Sequence, residues 1–147
     1  MLVNQILSLK GPDGAVIVTI GSTATVEDAA RLLAEKRIGA VVVSDDGKTP
    51  IGILSERDIV RELGRQGASV LQSEISALMT RKISTCTTGE DAIAVLERMT
   101  QGRFRHLPVV NEAGEMLGLV SIGDAVSARL KELNAEKEAL TGMIMGA

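Results

Sequence analysis

The sequence predicts an α+β fold, sandwich-like, in which two β-α-β-β-α units pack through their sheets with pseudo-two-fold symmetry. Three observations predict it. The first is an internal repeat. Thr25-Val26-Glu27-Asp28-Ala29, then Val41 to Gly47, then Gly52-Ile53-Leu54-Ser55-Glu56-Arg57-Asp58 recur in order as Thr88 to Ala92, Pro108 to Gly114 and Gly118 to Asp124; such self-similarity decides an architecture. The second is that each copy alternates β-branched runs with runs at helical spacing. The third is size: one such unit cannot bury both faces of its own sheet, and two stacked on their sheets can.

The elements follow in order. Val16-Ile17-Val18-Thr19-Ile20 is a β-branched strand. Thr25 is placed as a helix N-cap, with Asp28 in the capping-box position. Ala29, Ala30, Leu32 and Leu33 form that helix's apolar face, and Gly39 ends it. Ala40 to Val43 is a buried strand, Asp45-Asp46-Gly47-Lys48 a hairpin-type turn and Ile51 to Leu54 the next strand. Ser55 caps a second helix running to about Arg65, with Ile59, Val60 and Leu63 inward. In the second copy Ile83 opens the first strand, Thr88 caps the first helix, and Leu107–Val110 pairs with Met116–Val120. Ser121 caps a last helix that extends to Leu133 or beyond. The copies are offset by 63 residues from Asp28 to Asp91 but by 66 from Asp58 to Asp124, a difference assigned to extra length around Thr100-Gln101-Gly102-Arg103. Gly64 to Ser76 is a polar linker, followed by a short turn through Met79-Thr80. The units are placed at residues 12–66 and 79–130, joined by 67–78, with 131–147 as a C-terminal helix or tail.

Composition narrows the function. The chain has 147 residues and is 45% hydrophobic, with one Phe, no Trp and no Tyr, so its core is aliphatic. A net charge of −3 gives no electrostatic footprint for nucleic acid. A single Phe offers no row of aromatics for base stacking. The lone Cys86 excludes an intrachain disulfide and suits a cytoplasmic location. The first ten residues lack a basic n-region, and no apolar run is long enough for membrane insertion.

The order strand, [ST]-V-E-[DE]-A helix, Val-Val strand, turn, then G-[IL]-[LV]-S-x-x-D resembles the CBS domain, named after cystathionine β-synthase. Occurring twice over residues 12 to 130, it resembles a CBS pair, or Bateman module. The resemblance implies a regulatory module that binds AMP, ADP, ATP, NAD(H) or S-adenosylmethionine in two clefts between its sheets, with no catalytic cofactor. It also implies a two-fold homodimer and, as partner, a regulated enzyme or transporter.

Ser55-x-x-Asp58 and Ser121-x-x-Asp124 are the sharpest candidate sites. Spacing alone fits a capping box equally well, as at Thr25-x-x-Asp28 and Thr88-x-x-Asp91. Position distinguishes them: each serine ends a strand where a helix begins, offering amides and a positive dipole end to phosphate. A short carboxylate can accept both ribose hydroxyls. The resemblance implies that the serines contact phosphate and the aspartates ribose. Arg57 lies in the first motif where the second has Gly123; it suits bidentate phosphate recognition or is a solvated helix charge. Arg105 and His106 precede the strand Leu107-Pro108, where the resemblance implies phosphate contacts; His106 also fits a strand-entry histidine. The resemblance nominates Ile20, Gly39, Ala40 and Val41 for one base slot and Ile83, Leu107 and Pro108 for the other, positions that equally suit core.

Catalysis is disfavoured. Cys86 would need a base or cation beside it, and a Cys86–His106 pair is the one arrangement available. One His and one Cys do not make a zinc site, and no GxxxxGK[ST] or GxGxxG stretch is present. Chains of this kind also resemble the insert of IMP dehydrogenase, but that chemistry belongs to a barrel larger than this chain. A structural interaction module, docking through a dimer face or the Leu133–Met145 tail, is the competing reading.

Overall fold

The computed structural model describes residues 1–11 and 17–145. In chain order the elements are α1 (Val3–Leu9), β1 (Thr19–Ile20), α2 (Val26–Lys36), β2 (Ala40–Val43), β3 (Gly52–Ser55) and α3 (Glu56–Gln66). Two 3-10 turns follow, Ala68–Gln72 and Ile75–Ala77, and then α4 (Ala92–Gly102), β4 (His106–Val110), β5 (Met116–Ser121) and α5 (Ile122–Ile144). The class is the mixed helix-and-sheet one that the repeat predicts. Two compact units result. One gathers the N-terminal segment with Thr85–Val110 and the chain from Leu117 onward; the other holds Ile17–Ser84 and Asn111–Met116.

In the unit built on the first repeat, β1 pairs parallel with β2 (Thr19 to Val42, Ile20 to Val43) and β2 antiparallel with β3. Continuous burial of Ala40 to Val43 explains the unbroken apolar run of β2. Val26, Ala29 and Leu33 of α2 meet Val41, Val43, Leu54 and Ile59 in one core, closed by Ile75 and Met79. In the other unit, Val95 and Met99 of α4 meet Leu107, Val109, Val120, Ala125 and Ala128, closed by Val3 and Ile6 of α1.

The two units are therefore completed in the same way. Each repeat is covered by the segment that precedes the other repeat. Leu2 bridges to Asp91, and Val3 N–H donates to Glu90 O at 2.8 Å. Glu74 bridges to Thr25 in the same manner, and Val26 N–H donates to Ser73 O at 2.9 Å.

This pairing corrects the register. Thr25 and Asp91 are the equivalent N-caps; Asp91 accepts from Ile93 N–H at 3.2 Å, and Thr88 caps nothing. Arg37 and Arg103 are the equivalent left-handed C-caps, at φ 54° and 57°. The offset is thus 66 residues at the caps of both helices, and α2 and α4 are both 11 residues long. Local spacing misassigned Thr88 because Asp91 caps with its own carboxylate, one turn later than the Thr-x-x-Asp pattern suggests.

Other expectations also change. The first strand is only Thr19–Ile20; Ile17 and Val18 lie outside it, and Val16 falls outside the described residues. Its counterpart in the second repeat is a single parallel bridge from Cys86 to Val109, not a strand opened by Ile83. α2 ends at Arg37 rather than Gly39. Val60 is exposed, because its side of α3 borders an open groove rather than the core. The Gly64–Ser76 stretch is the end of α3 and two ordered 3-10 turns, with Val70 and Ile75 buried.

Candidate functional site

Each repeat has one junction where its last strand turns directly into a helix. At the first, Ser55 is in extended backbone at the end of β3 and caps α3. Its Oγ accepts from Asp58 N–H at 3.2 Å, while Asp58 Oδ2 accepts from Ser55 N–H at 3.0 Å and Oγ–H at 2.9 Å. At the second, Asp124 N–H donates to Ser121 Oγ at 3.1 Å and Asp124 Oδ2 accepts from Ser121 N–H at 2.9 Å. Both are true capping boxes. Thr25–Asp28 is a third, whereas Thr88–Asp91 is not.

The strand that enters from the other side is tied to each junction by the same backbone bond. Glu56 N–H donates to Gly39 O at 2.9 Å, and Ile122 N–H donates to Arg105 O at 2.8 Å. Gly39 and Arg105 are therefore brought to the two Ser-x-x-Asp motifs. His106 is half-buried at the start of β4, and the Arg57 and Arg105 side chains are exposed. Gly123 leaves the second helix entrance open: a Cβ there would meet only Ser121 Oγ, at 3.7 Å.

The apolar candidates divide. Ile20 and Ile83 are partly exposed, while Ala40, Val41, Leu107 and Pro108 are buried, with Val41 and Leu107 inside the two cores. The structural counterpart of Ile20 is Cys86, so Ile83 does not occupy the matching place. An open groove of about 430 Å³ runs beside Gly39, lined by Leu33, Arg37, Ile38, Ile59 and Val60. It touches neither Ser55 nor Asp58.

The carboxylates differ in their counter-ions. Asp58 uses both oxygens: Oδ1 takes Arg61, one turn along the same helix, at 3.0 Å. Asp58 in turn raises the Arg61 guanidinium. Asp124 is met by Lys10, whose Nζ lies 3.0 Å from Oδ2 and donates to Leu119 O at 2.7 Å. Burial pushes the Asp124 carboxyl up, but the Ser121 amide and Lys10 outweigh it, and the net shift is downward. Sequence reasoning missed Lys10, since nothing local joins it to a residue more than a hundred positions away.

Cys86 is buried, and its thiol is pushed up to about 11, first by burial and then by Glu90, against the opposing pull of Arg98. A thiol held so high is mostly protonated near neutrality and makes a poor nucleophile. Among the described residues no group of His, Cys, Asp and Glu could hold a metal ion, and no helix is long and apolar enough to cross a membrane.

Comparison with known proteins identifies the pattern. A mitochondrial CBS domain-containing protein of Arabidopsis thaliana is 36% identical over 126 residues, covering 83% of this chain and 61% of that protein. The chain thus spans less than two thirds of the length of the curated relatives it matches first. The crystal structure of a CBS-domain containing protein of Agrobacterium tumefaciens is 40% identical, with TM-score 0.82, covering 88% of this chain and 99% of that one. A CBS domain protein of Pyrobaculum aerophilum, complexed with AMP, is 28% identical with TM-score 0.72, covering 84% and 89%. The model of the CBS domain matches residues 15–65 and 74–131, one repeat each, and the chain belongs to the CBS domain family.

Proposed function

We propose that the chain is a regulatory, non-catalytic module that binds an adenine nucleotide, AMP foremost, at the Ser55–Asp58 and Ser121–Asp124 junctions. The observation that carries this reading is the duplicated junction itself. In each, the aspartate carboxylate beside a capped helix entrance accepts from the serine N–H, while the aspartate N–H donates to the serine Oγ. Such an entrance presents backbone amides to phosphate, and such a carboxylate suits ribose hydroxyls. The AMP complex of the Pyrobaculum relative supports the ligand class. Arg57 would serve phosphate in the first site, Arg105 and His106 in the second. The base would lie against Ile20, Gly39, Ala40 and Val41, or against Leu107 and Pro108 with Ile83 off the position that matches Ile20. The high thiol value of Cys86 supports the absence of nucleophilic chemistry.

Residues 12–66 and 79–130 are the two binding modules in this reading, with 67–78 between them and 131–147 following. The working form is a homodimer in the cytoplasm that passes ligand occupancy to a regulated enzyme or transporter. Occupancy can shift that partner only by the ligand's differential affinity for two states.

Calorimetric titration with AMP, ATP, NADH and S-adenosylmethionine tests the reading, and no binding at millimolar concentration removes it. Asp124→Ala is expected to weaken AMP by roughly tenfold or more through lost charge-assisted hydrogen bonds. Asp91→Ala, which removes a cap and a 3.8 Å pair with the Met1 ammonium but no proposed ligand contact, should change it less than about threefold. Equal effects would reduce Asp124 to a cap. Purified protein is also easily inspected for bound nucleotide by its absorbance, since the chain has no Trp or Tyr.

A further inference from the structure

α5 is 23 residues long, and only Ala125 and Ala128 on it are buried. On another side it carries a row in strict alternating spacing of four and three: Val126, Leu130, Leu133, Lys137, Leu140, Ile144. The five apolar members are between 43% and 75% exposed. A row of this spacing is the narrow seam of a two-helix coiled coil, not the broader stripe of a helix lying on a globular core. Exposed apolar rows of this length mark an interaction surface.

We infer that this seam pairs with α5 of a second copy, and that the two helices run antiparallel. Charge decides the orientation. A parallel pair would set Lys137 against Lys137 of the second copy at the seam and would place no opposite charges along its flanks. An antiparallel pair centred between Leu130 and Leu133 sets each Leu130 on the other copy's Leu133 and each Lys137 beside Val126. It also brings Arg129 of one copy, which within its own helix lies 3.7 Å from Glu132 and 3.8 Å from Glu136, to Glu136 of the other along the flank. Leu140 then meets the exposed Gly123, where a Cβ would have only Ser121 Oγ near it, so the second copy borders the Ser121–Asp124 helix entrance proposed above. Pairs this short are marginal for free helices, but the first turns of α5 are already fixed on the unit core through Ala125 and Ala128, so less order is lost on association.

This inference rests on the homodimer reading above and adds its surface and direction. Sedimentation velocity at tens of micromolar should show a dimer. Leu130→Glu with Leu133→Glu, both on exposed positions, should leave the circular dichroism spectrum unchanged and weaken the dimer about 100-fold or more. For orientation, an Arg129→Glu chain and a Glu136→Arg chain should each associate more weakly alone than wild type. Mixed, they should form a heterodimer preferentially, read by native mass spectrometry. A wild-type monomer overturns both the homodimer and the seam. A dimer unaffected by the double leucine substitution overturns the seam alone. Charge variants that mix no better than they self-associate overturn the antiparallel direction.

Discussion

The two strand-to-helix junctions share a backbone but not a source of support. Ser55 and Asp58 complete their site within one helix, with Arg61 supplied three residues along. Ser121 and Asp124 depend on Lys10, delivered by the segment that follows α1. The difference extends to the strands behind them. Gly52 of β3 is covered by Met79 and Thr80, and its equivalent Gly118 of β5 by Leu7 of α1. A duplicated motif can therefore keep its hydrogen bonds while its surroundings are rebuilt from a distant part of the chain. The consequence is that one junction has local electrostatics and the other is coupled to the N-terminal helix.

The glycine pair tests that contrast with the largest expected effect. An added Cβ at Gly52 would sit 2.6 Å from Met79 Sδ and 3.1 Å from the Thr80 carbonyl oxygen, which is held in a bridge with Ile53. Backbone does not yield, so Gly52→Ala should cost about 1–3 kcal/mol. At Gly118 the close atom is Leu7 Cδ2 at 2.7 Å, the tip of a side chain that can turn away. Gly118→Ala should cost less than about 1 kcal/mol. Urea titration followed by far-ultraviolet circular dichroism measures both, and equal losses would break the comparison.

The counter-ions give the next effect. Lys10→Met keeps the aliphatic stem but removes the ammonium from Asp124 and from Leu119 O, and should cost about 1–2 kcal/mol. Arg61 is more exposed and its pair is local, so Arg61→Met should cost less than about 0.5 kcal/mol. The Asp124 carboxyl is held below its ordinary value, so its stabilising contribution is present above that value and fades as pH falls through the lowered one. Acidification should therefore shrink the difference between Lys10→Met and wild type. A difference that persists at low pH would assign the Lys10 effect to Leu119 O alone.

What was legible in the sequence had local causes. The serine caps at Ser55 and Ser121, the Thr25 box, β2 and β3, and β4 and β5 are each written in fewer than a dozen neighbouring residues, and the structure has them all. The failures are non-local. α1 is a seven-residue helix with no side-chain cap signal, and tertiary burial of Val3 and Ile6 secures it. Thr88-x-x-Asp91 repeats the local spacing of Thr25-x-x-Asp28, while the contacts that set the true register come from Met1 to Val3, far away in sequence. Ile83 does not open a strand; the single bridge that remains of it falls at Cys86, where the small, buried thiol fits the core. The Ser-x-x-Asp candidates were found because their chemistry is also a local cap; Lys10 could not be.

The turns between paired strands offer the smallest and most specific test. In the first repeat the Asp46 carboxylate organises the turn: Oδ1 accepts from Lys48 N–H at 2.8 Å, Thr49 N–H at 2.7 Å and Ser44 Oγ at 3.0 Å. Those donors, the Thr49 and Lys48 amides first and then the Ser44 hydroxyl, lower its pKa from 3.8 to about 2. In the second repeat a neutral amide does the same work, Asn111 Oδ1 accepting from Ala113 N–H at 3.0 Å and Glu115 N–H at 2.9 Å. A carboxylate with a depressed pKa stabilises its turn above the unfolded value and loses that contribution as pH falls through the folded one. Between pH 3.8 and about 2 the Gly47 amide should therefore shift and exchange faster, while Gly114, in the corresponding left-handed position, should not follow it. Amide chemical shifts recorded across that range decide the matter, and Asp46→Asn should remove the pH dependence at Gly47 while leaving the turn formed. If Gly47 and Gly114 titrate together, the acid response belongs to a common unfolding event rather than to the one charged turn.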